Sequence, residues 1–280
     1  PPWDALTKFK TVGSDADRTD GMAKATGRAK YAYDVHFPGQ QQAMILRSPI
    51  AKGVLKGLNL DEAKAMPGIS AVVALKDTGN KIRFVGDALA AVSGETLDLV
   101  RDAIEKIRAD YEEDVHNVDY LMDEQAPLLN AKGNVDEEWD EDTDVDAALA
   151  ASAHTHTGTY RTEVQTHSSL EPHGNVCKWD GNDLEIWAST QATFGIRGEL
   201  ARALGARNIK VESVDIHAEF VGGGFGSKFS AGIEGLACAM LAHEAKLPGK
   251  LMLDRFEEHT TAGNRPSSLM QVRGGVDKDG

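Results

Sequence analysis

The stretch from Ile209 to Ala245 most constrains the fold. It reads "IKVESVDI", then, after a short gap, "VGGGFGSK" (Val221–Lys228), then "SAGIEGLACAMLAHEA". The first part alternates as a strand does, and the last is a run of small and apolar residues at helical spacing. Between them, four of the five residues Gly222–Gly226 are glycine, broken by Phe225. Glycine inside regular structure costs about 0.5–1 kcal/mol relative to alanine, so such a run marks a place where the backbone takes positive φ or lies against something at close range. Strand, glycine loop and helix in that order also put backbone N–H groups at a helix N-terminus, a setting for an anion. The loop is not a Walker phosphate loop, because Phe229 follows Lys228 where Ser or Thr is required. It is not a Rossmann fingerprint either, because the third glycine position falls on Ser227 or Phe229. Locally two readings stand side by side, an oxyanion or phosphate ligand and a tight turn packed in the core.

The remaining chain alternates strands and helices, so the expected fold class is mixed α/β (α+β). "GRAKYAYDV" alternates as a strand, with Tyr31 and Tyr33 on one face, and "DEAKAMPG" reads as a short helix stopped at Pro67-Gly68. "ISAVVAL" and "VGDALAAVSG" read as strands. In "TLDLVRDAIEKIRADY" apolar residues fall at Leu97, Val100, Ile104, Ile107 and Tyr111, the spacing of an amphipathic helix with Thr96 as N-cap. "HTHTGTYRTEVQTH" is a polar strand. His154 and His156 share a face there, but nothing nearby completes a metal site, and a solvent-facing strand is the preferred reading. "VCKWDGNDLEIWAS" is a hairpin turning at Asp180–Asp183, and a helix is expected over Thr193–Leu204, ending at Gly205. The small residues of the helix after the glycine loop predict that it is buried.

The dense carboxylates of "DEEWDEDTDVD", Asp136–Asp146, lack the glycine and terminal glutamate of an EF-hand and read as a solvated linker. The expected organisation is an N-terminal extension over 1–20, an α/β domain over 21–125, the acidic linker over 126–146 and a second domain over 147–280. The 280 residues carry 44 acidic against 30 basic side chains, a net charge of −14 that argues against a nucleic-acid partner. No apolar run reaches the ~18 residues of a membrane span. Cys177 and Cys238 form neither a CxxC pair nor a disulfide framework. "PPWDALTKFK" has no signal-peptide pattern, and the expected location is the cytoplasm, with a periplasmic chain exported alongside a partner as the alternative.

Taken together, several segments resemble the molybdenum-binding subunits of the xanthine oxidase family of molybdenum hydroxylases. "STQ" (Ser189–Gln191), a helix, a strand and "VGGGFGSK" follow in the family's order. "RTDGMAKATGRAKYAYDV", "RSPIAKGVL", "MPGISAVVAL" and "VGDALAAVSGET" are similar to its small hammerhead domain. "HSSLEPHGNVCKWDGNDLEIWAS" is similar to the approach to its cofactor-binding domain, and "LDRFEEHTTAGNRPS" to the stretch after the loop's helix. The resemblance runs in order along essentially the whole chain and is nearest in flavour to bacterial periplasmic aldehyde oxidoreductase subunits.

The resemblance implies a hammerhead-type α/β domain followed by the first part of a molybdopterin-binding domain. It implies that the loop, through Gly223, Gly224, Phe225 and Gly226, lies against a molybdenum–molybdopterin cofactor, with the Phe225 amide as a donor. Gln191 would be a second donor, and no side chain would ligate the metal directly. The implied activity is hydroxylation of an aldehyde or N-heterocycle with oxygen from water. It would operate only within a complex, since iron–sulfur clusters and FAD would sit on partner chains. The cofactor could be the cytosine dinucleotide form. The general-base glutamate is expected in a C-terminal half carried elsewhere; Glu171 is given a structural hydrogen-bonding role. Phe229 stands where purine-oxidising members have a glutamate, which tilts the expected substrate toward aldehydes. The competing reading is a non-catalytic cofactor-binding or assembly module.

Overall fold

A computed structural model describes residues 3–4, 6–116 and 144–280. Most of the proposed linker and of the acidic run falls outside the described residues. Asp144, at its end, caps a helix by accepting from the Ala147 amide at 3.0 Å.

In chain order the elements are α1 (Gly21–Ala25), β1 (Gln41–Arg47), β2 (Gly53–Asn59), α2 (Asp61–Lys64), β3 (Ile69–Ala74), β4 (Lys81–Ile82), β5 (Ala88–Gly94), α3 (Leu97–Lys106) and β6 (Arg108–Glu113). After the undescribed stretch come α4 (Val145–Ala151), β7 (His154–Thr162), β8 (Gly174–Asp180), β9 (Asp183–Ala188), α5 (Thr193–Gly205), β10 (Ser213–His217), α6 (Gly232–Ala245), β11 (Gly249–Met252), α7 (Arg255–Thr260) and β12 (Ser268–Val276). The mixed α/β expectation is met.

Seven strands form the main sheet, in the order β10-β9-β8-β11-β1-β5-β3. Its centre joins the two halves of the sequence: β1 runs parallel to β11, with Gln41 opposite Gly249 and Ala43 opposite Leu251. The expected division at the acidic stretch therefore does not separate two sheets. β5 is buried along its whole length because it lies between β1 and β3, and its sequence "ALAAVSG" has no charge to solvate. α6 packs across β8, β11 and β3. Its Ala237, Ala239 and Ala242 let the helix axis approach the sheet, and its Leu241 is fully buried. Burying such a leucine stabilises the fold by about 1.5–3 kcal/mol. α5 contributes Ile196, Leu200 and Leu204 to the same core. The i, i+4, i+8 spacing places all three on one face.

Two expectations about local structure fail. Tyr31 and Tyr33 do not lie on a strand. Ala32–Asp34 form a single 3₁₀ turn, in which the Asp34 carboxylate accepts from the Tyr31 amide at 3.1 Å. A short polar side chain bonding its own backbone here outcompetes the alternation. The amphipathic helix starts at Thr96 as expected, with the hydroxyl accepting from the Leu99 amide at 3.3 Å. It ends at Lys106, and Tyr111 belongs instead to β6, paired with Leu55 of β2. Helical spacing cannot reveal that a partner strand claims the last apolar residue.

Cys177 and Cys238, far apart in sequence, are both buried and free, and adjacent enough to interact. Burial, with Cys238 beside it, pushes the Cys177 thiol well above the ordinary range. Among the described residues no helix is long and apolar enough to cross a membrane.

Candidate cofactor site

The glycine loop connects β10 to α6, and it is held at its start, its crest and its end. At its start, the Gly222 amide donates to Glu171 Oε2 at 2.6 Å, and the Glu171 amide donates back to the Gly222 carbonyl at 3.2 Å. At its crest, the Gly226 amide donates to Gln191 Oε1 at 3.1 Å. The Ser227 amide and hydroxyl both close a turn onto the Gly224 carbonyl, at 2.9 and 2.7 Å. At its end, the Lys228 carbonyl accepts from the Gln191 amide at 2.8 Å and the Thr190 hydroxyl at 3.1 Å. Gln191 thus sits where β9 gives way to α5, touching the loop through both its backbone and its side chain. The resemblance implied that Gln191 and the loop face the same cofactor; in the structure the two are in direct contact with each other.

Each glycine has its own reason. A Cβ on Gly222 would lie 2.4 Å from Glu171 Cβ, and one on Gly224 would lie 2.2 Å from Gln191 Oε1. Gly223 and Gly226 both take φ of 100°, where L-residues are strained. Phe225 itself has φ of 51°, left-handed geometry that is unusual for a bulky residue and often found at functional positions. The residue is 73% exposed, and Phe229 is 60% exposed. Both aromatics turn outward instead of packing into the core.

The conformation leaves donors unused. Among the described residues, the amides of Gly223, Gly224 and Phe225 donate to no protein acceptor. Successive backbone N–H groups left free in a tight turn are the donors from which binding sites for an anion or oxo ligand are built. Beneath them the Ser169 hydroxyl and Glu171 Oε1 are buried without a hydrogen-bond partner. Native proteins rarely leave such groups unpaired.

Below the loop lies a buried ionic cluster that sequence reasoning missed. His173 Nδ1 lies 2.8 Å from Glu258 Oε1, and its Nε2 is 3.3 Å from the Ser227 carbonyl. Burial pushes the Glu258 carboxyl up, but hydrogen bonds from the ring and amide of His173, with the His173 and Lys228 charges, outweigh it and leave Glu258 below the ordinary range. Glu234, in the first turn of α6, is pushed above that range by burial. Arg255 donates to the carbonyls of Ser169 and Leu170 at 2.8 and 3.3 Å. "LEPH" and "RFEEH" contain His173, Arg255 and Glu258, but nothing in one sequence pairs segments that are 85 positions apart.

His154 and His156 lie on an exposed two-stranded ribbon of β7 and β12, opposite Val276 and Gly274. No group of three metal-ligating side chains occurs there or elsewhere among the described residues.

Known proteins match along this whole arrangement. Residues 128–280 match the molybdopterin cofactor-binding domain family, and residues 26–81 match the aldehyde oxidase and xanthine dehydrogenase a/b hammerhead domain family. The aldehyde oxidoreductase molybdenum-binding subunit PaoC of Escherichia coli (strain K12) is 33% identical over 98% of this chain, which covers 39% of that protein. The nicotinate dehydrogenase large molybdopterin subunit of Eubacterium barkeri is 30% identical, with 97% of this chain and 68% of that subunit aligned. The chain thus spans from about two-fifths to two-thirds of the length of these relatives. Among solved structures, quinoline 2-oxidoreductase from Pseudomonas putida 86 shares the fold with a TM-score of 0.83 at 24% identity, over 96% of this chain and 38% of that one. By its matched domains, and by relatives aligned nearly end to end with it, the chain belongs to the molybdopterin cofactor-binding family of aldehyde oxidase and xanthine dehydrogenase type.

Proposed function

We propose that this chain forms the glycine-loop wall of a molybdenum–molybdopterin site in an enzyme that hydroxylates an aldehyde, or an N-heterocycle, with oxygen from water. The observation that carries the reading is the row of undonated amides at Gly223, Gly224 and Phe225, with Gln191 locked beside them. The residues present fit the group. The loop offers neutral, fixed donors to an oxygen-rich centre, the glycines leave room for approach, and buried unpartnered Ser169 and Glu171 atoms await a partner.

When bound, the cofactor supplies the two-electron oxidation of the substrate carbon. The protein's share is preorganisation. The Phe225 amide and its glycine neighbours stabilise negative charge on an oxygen placed against the loop, and they need no rearrangement at the moment of reaction. Gln191 accepts from Gly226 through Oε1, which leaves its Nε2 as a further donor. Gly223, Gly224, Phe225 and Gly226 are the cofactor-binding residues in this reading. Phe225 and Phe229 give the exposed side an apolar rim, which suits an aldehyde with an apolar or aromatic body. Glu171 is committed to Gly222 and stands beside Lys228, so it is no free base. We assign the general-base glutamate to sequence outside these residues. We also propose partner chains bearing iron–sulfur clusters and FAD, the cytosine dinucleotide form of the cofactor, domains at 21–125 and 147–280, and a cytoplasmic location.

The test is elemental analysis of the protein from its native source, with intact masses of co-purifying chains. Near-stoichiometric molybdenum, with turnover of an aldehyde panel, is the expected result. Protein without molybdenum would favour a non-catalytic assembly module.

A further inference from the structure

A lysine after a glycine loop ordinarily reaches outward to a phosphate. Lys228 does the opposite. Its side chain is wholly buried, at 0% exposure. Its Nζ donates to the Glu171 carbonyl at 2.7 Å and to the Ser189 hydroxyl at 2.6 Å, with Glu171 Oε2 at 4.0 Å facing it. Of the ammonium's three donors, two are spent on these hydrogen bonds, and the Glu171 carboxylate faces the charge from 4.0 Å. Its backbone carbonyl meanwhile receives Gln191 and Thr190.

These contacts close a ring. Glu171 holds Gly222 at one end of the loop and Lys228 at the other. Lys228 holds Ser189 through its side chain and Gln191 through its carbonyl. Gln191 returns to the loop at Gly226. We propose that Lys228 is the positioning residue of this site, its inward ammonium binding the 169–171 segment, the end of β9 and the glycine loop into one unit so that Gln191 and the loop amides keep a fixed mutual geometry. Burying an ammonium is costly unless it is fully hydrogen-bonded, and one placed here confers geometry more than net stability. The purpose assigned to that geometry rests on the function proposed above. The ring itself does not.

The experiment is hydrogen exchange with mass spectrometry on the full chain, comparing the native sequence with Lys228→Met and with the milder Ser189→Ala. The reporters are the amides of Gln191, Gly222 and Gly226, which donate within the ring, and of Ser227, which closes the loop's own turn onto Gly224. Peptides over β1 and β5 serve as the reference. Both variants should speed exchange in the Gln191 and loop peptides together, by about tenfold or more for Lys228→Met, with the β1 and β5 peptides unchanged. In the assembled enzyme, Ser189→Ala should lower kcat severalfold with KM held. Native-like exchange in both variants would overturn the proposal. So would loosening of the loop without the Gln191 peptide, or global loosening in Lys228→Met with none in Ser189→Ala, which would reduce Lys228 to a generic core residue. Molybdenum content of the native protein tests the function separately, so the two failures are distinguishable.

Discussion

Gly224→Ala isolates one steric contact. The backbone at Gly224 is outside the positive-φ region, so alanine itself is unstrained there. The new Cβ would lie 2.2 Å from Gln191 Oε1, 2.5 Å from its Cδ and 2.8 Å from its Cγ, so the Gln191 side chain must swing away. The Gly226 amide then loses its protein acceptor. Gly226 is exposed, so water replaces the acceptor, and the net loss is that of one hydrogen bond, about 0.5–1.5 kcal/mol. Against this, replacing glycine narrows the unfolded ensemble and stabilises by about 0.4–1 kcal/mol. The single variant should therefore stay within about 1 kcal/mol of the native protein. The decisive quantity is the coupling. In a Gln191→Ala background the obstacle and the bond are already gone, and Gly224→Ala should become stabilising by about 0.4–1 kcal/mol. Urea unfolding of the four proteins, followed by tryptophan fluorescence, should give an interaction energy of about 0.5–1.5 kcal/mol. Additivity within about 0.3 kcal/mol would refute the packing of Gln191 on the loop.

Two other loop glycines should respond for different reasons. Gly222→Ala drives its Cβ into buried Glu171 at 2.4 Å and should cost about 1–3 kcal/mol as overpacking. Gly226→Ala meets no atom within 4 Å but adopts φ of 100°, so its cost, about 1–3 kcal/mol, is purely conformational; a D-alanine placed there by semisynthesis should abolish it. Glu258, held below its ordinary 4.5, contributes stability that is fully present above that value and is lost as pH falls through the lower folded-state value. Denaturation of Glu258→Gln should show a deficit of about 1–3 kcal/mol at pH 7 that shrinks on acidification; a deficit independent of pH would contradict the His173 pairing. Leu200→Ala, at 1% exposure on α5, should cost about 2–5 kcal/mol and lower Tm by at least about 4 °C in a thermal scan. In the assembled enzyme, Gln191→Ala should reduce molybdenum content or turnover, read by elemental analysis and assay.

Local pattern alone determined much of this molecule. The Thr96 cap, the Gly181 turn, the buried strand at 88–94 and the small-residue helix at 232–245 were legible because each signal lies within one turn or one strand of chain. The glycine loop announced itself for the same reason, and its likeness to a known family added Gln191. Only the tertiary structure decided that β1 and β11 share one sheet, that Tyr111 leaves its helix for β6, and that Lys228 turns inward. The pairing of His173 with Glu258, and of Glu171 with both ends of the loop, was equally invisible beforehand. The physical reason is range. Capping, turn chemistry and periodicity are set by neighbours in sequence, whereas strand pairing and the direction of a buried charge are set by whichever distant segment desolvates and bonds them most completely.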